Sequence, residues 1–138
     1  MSKHRFDCTL RWSDMDAFGH VNNTRFLTYL EEARVDLLFV TAGEAVARER
    51  LSSGIVVARH EIDYTAPLVF RPEPVPIDVW VGTLGNSSFT LQYEMLDDGG
   101  PVYARASTVL VPYDVAAGRP RRLSIEERTA LEPYLEAS

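Results

Sequence analysis

The 138 residues contain one cysteine, Cys8, which excludes an internal disulfide framework and fits a reducing compartment, so a cytoplasmic location is expected. Cys8 itself reads as a small buried hydrophobe rather than a nucleophile. No apolar run approaches the roughly 20 residues of a spanning helix, so no membrane role is expected. Residues 1–10, MSKHRFDCTL, lack the apolar segment and small-residue cleavage site of a secretory leader. Basic charge is also in deficit: 14 Lys and Arg stand against 20 Asp and Glu, for a net charge of -6. That balance excludes nucleic acid as an expected partner, because such binding rests on neutralising phosphates. The histidines are few and scattered at His4, His20 and His60, with no i,i+4 pair and no cysteine cluster. No metal site and no cofactor are expected. There is no internal repeat, low-complexity tract or composition break, so residues 1–138 read as a single domain.

What is present is strongly patterned. Residues 4–12 alternate, with Phe6, Cys8, Leu10 and Trp12 on one face, as in a half-buried strand. A polar loop follows, and Asn22 or Asn23 then supplies an N-cap for a helix that runs to about Ala42 and Gly43. On a helical wheel Phe26, Leu27, Tyr29, Leu30, Ala33, Leu37, Leu38 and Val40 form a broad apolar arc, so the helix should pack along its length against a sheet. Arg34 falls inside that arc, where its stem would pack and its head would reach the surface or a carboxylate. Residues 44–54 read as a polar connection.

Four strands follow. Residues 55–65 place Val56, Ala58, His60, Ile62 and Tyr64 on one face, and a lone histidine there is expected in a core or an interface. Val75, Ile77, Val79 and Val81 pattern the next strand, and Phe89, Leu91, Tyr93 and Met95 the one that returns. Asp97–Gly100 is turn chemistry, and a last strand spans about Val102 to Tyr113. Ser124 and Glu127 have capping-box spacing at the start of a short C-terminal helix that Pro133 ends or kinks. Consecutive hairpins with one long apolar helix imply an α+β domain: a five-stranded antiparallel sheet wrapped around one central helix.

The chemistry concentrates in residues 11–34. Asp14, Asp16, Gly19, His20, Asn22 and Asn23 lie just ahead of the helix, whose start gathers free N–H groups and the positive end of the helix dipole. Such a junction offers a carboxylate and a cradle for negative oxygen. On residue chemistry alone, Asp16 is as much a loop aspartate bonding its own turn as a reactive group. Asp14 reads as solvated. Gly19 is suited to positive φ. The basic segment Arg119–Arg122 could hold phosphates, although its default reading is a solvated loop.

The motif D-x-D-x-x-G-H-V-N-N at Asp14–Asn23, followed by Tyr29, by EEAR at Glu31–Arg34 and by Y-x-x-P at Tyr64–Pro67, resembles the hotdog-fold thioesterases of the 4-hydroxybenzoyl-CoA thioesterase type. The resemblance covers essentially the whole chain. It implies a hotdog fold, dimers whose sheets join edge to edge with active sites between subunits, and in some members tetramers. It further implies an acyl-CoA thioesterase in which Asp16 is nucleophile or general base, with His20 and Asn23 in support. Backbone N–H groups near Gly19–Asn23 would polarise the thioester carbonyl, and Gly19, Val21, Phe26 and Tyr29 would contact substrate. Two neighbouring branches depart from this chain. The plant acyl-carrier-protein branch has an asparagine where Phe18 stands, and the hydratase branch resembles D-x-N-P-x-H, where this chain has Phe18 and Gly19. Hydrolysis of an acyl-carrier-protein thioester and a non-catalytic acyl-CoA binding module are the alternatives carried forward.

Overall fold

A computed structural model describes residues 3–42 and 54–136. Of the predicted connection over residues 44–54, all but Gly54 lies outside them. Strand β1 (His4–Cys8) leads through a single 3-10 turn (Trp12–Asp14) to helix α1 (Asn23–Ala42). Strands β2 (Ile55–Tyr64), β3 (Val75–Leu84), β4 (Phe89–Leu96) and β5 (Val102–Asp114) follow, then a two-residue strand β6 (Arg119–Pro120) and helix α2 (Ile125–Leu131). The sheet order is β1-β3-β4-β5-β2, antiparallel throughout, with β6 added to β5. The expected five strands are thus joined by a sixth. Tyr113 and Asp114 pair with Pro120 and Arg119 there, across a turn at Gly118.

Period-two patterning builds the inner face. Val75, Ile77, Val79 and Val81 of β3, and Phe89, Leu91, Tyr93 and Met95 of β4, are all closed off from solvent. Against them α1 sets Phe26, Tyr29, Leu30, Ala33 and Leu37. Each large side chain buried this way contributes roughly 1.5–3 kcal/mol before entropy is counted. Packing therefore holds the helix in place. The capping box of α2 is complete: the Ser124 hydroxyl accepts from Glu127 N, and the Glu127 carboxylate accepts from Ser124 N.

Three expectations are corrected. Trp12 is 72% exposed rather than inward, because the chain leaves β1 after Cys8 and tightens into the 3-10 turn that carries Asp14 inside. Leu27 is exposed at the rim of the helix, so the buried arc is narrower than the wheel suggested. In β2 the alternation does not become burial. The strand lies at the sheet edge and is irregular between Val57 and Arg59, so Val56, Val57 and Tyr64 remain exposed while Ile55 and Ile62 touch the core. Arg34 is buried, its guanidinium donating to the Tyr93 hydroxyl at 3.1 Å and lying 3.8 Å from Glu31.

Candidate active site

The loop between the 3-10 turn and α1 is tied by its own backbone. Met15 and Val21 form an antiparallel bridge, and the N–H groups of Asp16 and Gly19 donate to the carbonyls of His20 and Asp16. Gly19 sits at φ +81°, a conformation that other residues rarely adopt, so the tight reversal needs glycine here. Asp16 is half-buried. Its Oδ1 accepts from Phe18 N at 2.9 Å, and its Oδ2 accepts from Asn22 Nδ2 at 3.3 Å. The first of these bonds is the turn expected of a loop aspartate, and the second aims the carboxylate toward the helix start.

Asn22, not Asn23, caps α1. Its Oδ1 accepts from both the Thr24 N–H and the Thr24 hydroxyl, and its carbonyl accepts from Arg25 N. Of the five backbone N–H groups from Gly19 to Asn23, those of Gly19, Val21 and Asn22 are spent on Asp16, Leu68 and Asp14 carbonyls. The N–H groups of His20 and Asn23 have no partner among the described residues. The His20 side chain is exposed and makes no hydrogen bond to the described residues, while the His20 backbone carbonyl accepts from Asp16 N.

The expectation of a solvated Asp14 is overturned. It is 3% exposed, accepts from the Tyr29 hydroxyl at 2.6 Å, and has Arg11 and Arg25 guanidinium nitrogens at 3.4 and 3.6 Å. Burial and the bond to Asp14 push the Tyr29 phenol well above its ordinary range. Tyr29 is therefore committed to the interior rather than to the rim of an open cleft.

Such a cleft, of about 270 Å³, opens beside the helix start. Val21, Asn23 and Phe26 line it together with the whole of the Tyr64–Leu68 segment. Tyr64 donates to the Asn23 carbonyl at 3.0 Å and meets Phe26 edge to face at 5.3 Å. Val21 N donates to Leu68 O at 2.7 Å, and Phe70 N to Met15 Sδ at 3.4 Å, so the segment after β2 is stitched to the aspartate loop. Composition gives no warning of this wall, and the Y-x-x-P pattern was its only signal.

Other candidates separate from the site. His60 lies on β2 with Nδ1 2.9 Å from Thr108 Oγ1, and burial together with the charge of Arg34 lowers its pKa. In the basic segment Arg121 turns inward to grip Glu127 with two bonds of 2.8 and 3.0 Å, while Arg119 and Arg122 face solvent. Among the described residues no three His, Cys, Asp or Glu side chains are grouped to hold a metal, and no helix is long and apolar enough to cross a membrane.

Residues 10–131 match the model of the thioesterase-like superfamily. An uncharacterised protein of Bacillus subtilis, YsmA, is 31% identical over 125 residues, which span 89% of this chain and 81% of that protein. A thioesterase from Thermus thermophilus, solved with coenzyme A and zinc, superposes with a TM-score of 0.79 at 30% identity, covering 94% of this chain and 92% of the other. A predicted thioesterase from Bacillus stearothermophilus shares the fold at a TM-score of 0.86 and 24% identity, over 99% and 98% of the two chains. The sheet wrapped on α1 is thus the hotdog fold, and the chain belongs to the thioesterase-like superfamily. It is a thioester hydrolase.

Proposed function

We propose that the chain hydrolyses acyl-CoA thioesters to a free acid and coenzyme A. The observation that carries this reading is the meeting of three features at one helix start. Asp16 is held by Phe18 N and Asn22 Nδ2, the His20 and Asn23 amides have no partner among the described residues, and a largely apolar cleft opens at Val21, Asn23, Phe26 and Tyr64–Leu68. With the acyl group in the cleft, the two amides and the positive end of α1 receive the carbonyl oxygen as it gains charge. Asp16 either attacks the carbonyl carbon, giving a mixed anhydride that water then opens, or takes the proton from the attacking water. In both routes the thiolate of the carrier leaves and is protonated. His20 and Asn23 act through their backbone N–H groups.

Coenzyme A as carrier is supported by its presence in the Thermus relative. A homodimer through β2 is supported by the exposed Val56, Val57 and Tyr64 on a sheet edge that has no partner strand among the described residues and whose Tyr64 end lines the cleft. A cytoplasmic location is supported by the lone, buried, free Cys8.

The test is thiol release from a panel of acyl-CoAs and from acyl-carrier protein bearing the same groups. Coenzyme A thioesters should be cleaved preferentially, and Asp16→Ala should lose about 100-fold or more in kcat, the scale of a positioned acid or base. Full activity in Asp16→Ala would overturn the role of Asp16, and saturable binding with no turnover by the parent chain would overturn hydrolysis itself. Single turnover in ¹⁸O-water that leaves the acid unlabelled and puts ¹⁸O into Asp16 identifies the anhydride route with water opening it at the Asp16 carbonyl, whereas trapping of an acyl-enzyme by hydroxylamine identifies an anhydride opened at the acyl carbon.

A further inference from the structure

We propose that Asp14 and Tyr29 form a buried anchor that sets the position of Asp16 through Asn22. The proposal rests on the assignment of Asp16 above, and it concerns how that carboxylate is aimed.

The hydrogen bonds run without a gap. Tyr29, 1% exposed and almost two turns into α1, donates its hydroxyl to the Asp14 carboxylate at 2.6 Å. The Asp14 backbone carbonyl accepts from Asn22 N at 2.9 Å. The Asn22 side chain then divides its two ends: Oδ1 caps the helix at Thr24, and Nδ2 reaches Asp16 Oδ2. Asp14 is therefore held from both sides, by its side chain to the core helix and by its backbone to the cap. A movement of Asp14 is transmitted to Asn22, and a movement of Asn22 shifts both the helix start and Asp16.

The choice of residue argues for position rather than stability. A buried carboxylate loses its hydration, and a well-packed apolar pair of similar volume commonly serves stability as well or better. What such a pair lacks is direction. The 2.6 Å bond to Tyr29, flanked by Arg11 at 3.4 Å and Arg25 at 3.6 Å, admits one orientation of Asp14, and hence one placement of the carbonyl that Asn22 reads. Chemistry needs that definition, because a misplacement of about 1 Å can cost about 100-fold in rate.

The experiment compares Asp16→Ala, Tyr29→Phe, Asp14→Asn and Asn22→Ser on the acyl-CoA that the panel above shows to be cleaved fastest. Asn22→Ser keeps a capping hydroxyl but is too short to reach Asp16. Tyr29→Phe and Asn22→Ser should each lower kcat roughly 10- to 100-fold with KM changed less than about 3-fold. The double variant should be no worse than the poorer single one, since both break one chain. A role in folding alone predicts a lower Tm with unchanged kcat per folded molecule. That result in Tyr29→Phe, or losses that multiply in the double variant, overturns the anchor while an inactive Asp16→Ala leaves the function standing. A fully active Asp16→Ala overturns the catalytic role of Asp16 and the anchor with it. Should Asp14→Asn fail to fold, Tyr29→Phe and Asn22→Ser still decide.

Discussion

Replacing Glu127 by glutamine separates two interactions that one carboxylate performs. Oε1 accepts from Ser124 N at 2.8 Å as half of the capping box, and the same carboxylate binds Arg121 through contacts of 2.8 and 3.0 Å. Glutamine keeps the acceptor that the box needs but not the charge. Side-chain exposures of 6% for Glu127 and 25% for Arg121 make this a largely desolvated pair, so the loss falls near the lower end of the range for charged hydrogen bonds, about 2 kcal/mol. With an unfolding entropy of about 2.1 cal/mol/K per residue, a chain of this size should lose roughly 7 °C in Tm. Burial alone would raise the Glu127 pKa, but the Arg121 guanidinium and Ser124 N–H outweigh it and hold the folded value below the ordinary 4.5. Its contribution is therefore fully present above pH 4.5 and disappears as pH falls through the lowered value. The gap between thermal melts of parent and Glu127→Gln should be widest near pH 7 and narrow as pH falls below 4.5. A gap that persists unchanged at low pH, or a neutral-pH loss under about 2 °C, refutes the assignment to charge.

Two glycines at positive φ should respond differently to alanine. Gly19→Ala meets nothing within 4 Å and should cost about 1–2 kcal/mol of backbone strain, whereas at Gly54 a Cβ would lie 2.8 Å from the Tyr113 carbonyl, so Gly54→Ala should melt measurably lower. Val57→Lys places a charge on the exposed β2 edge, and size-exclusion chromatography should shift toward monomer; an unchanged elution volume argues against that edge as the interface. Burial pushes the Cys8 thiol up to about 12, leaving a thiolate fraction of roughly 10⁻⁴ to 10⁻⁵ near neutral pH. Iodoacetamide should label it within minutes only in denaturant, and equally fast labelling of the native chain would contradict its burial.

Much of the fold was legible because its patterns are local. The inward residues of β3 and β4 announced themselves by strict alternation, the α2 start by Ser124 and Glu127, and the 97–100 turn by its glycines. β2 shows where that logic stops. Its residues alternate as a half-buried strand does, but alternation assigns faces and not covering, and along this edge strand most residues stay exposed although Tyr64 at its end meets Phe26 of α1. The same limit misplaced Trp12, whose spacing matches β1 although the chain has already turned into the 3-10 segment.

The aspartate loop divides in the same way. Sequence by itself determined that a carboxylate, a glycine at a reversal and a helix cap would stand together at residues 14–23, because loop chemistry and capping act over a few residues. Only the tertiary structure decided which aspartate is buried, which asparagine caps, and what forms the far wall of the cleft. Those choices depend on Tyr29 reaching back from within α1 and on Tyr64, Leu68 and Phe70 arriving from the end of β2. Such contacts join residues 15 to 55 positions apart, and no local periodicity encodes them.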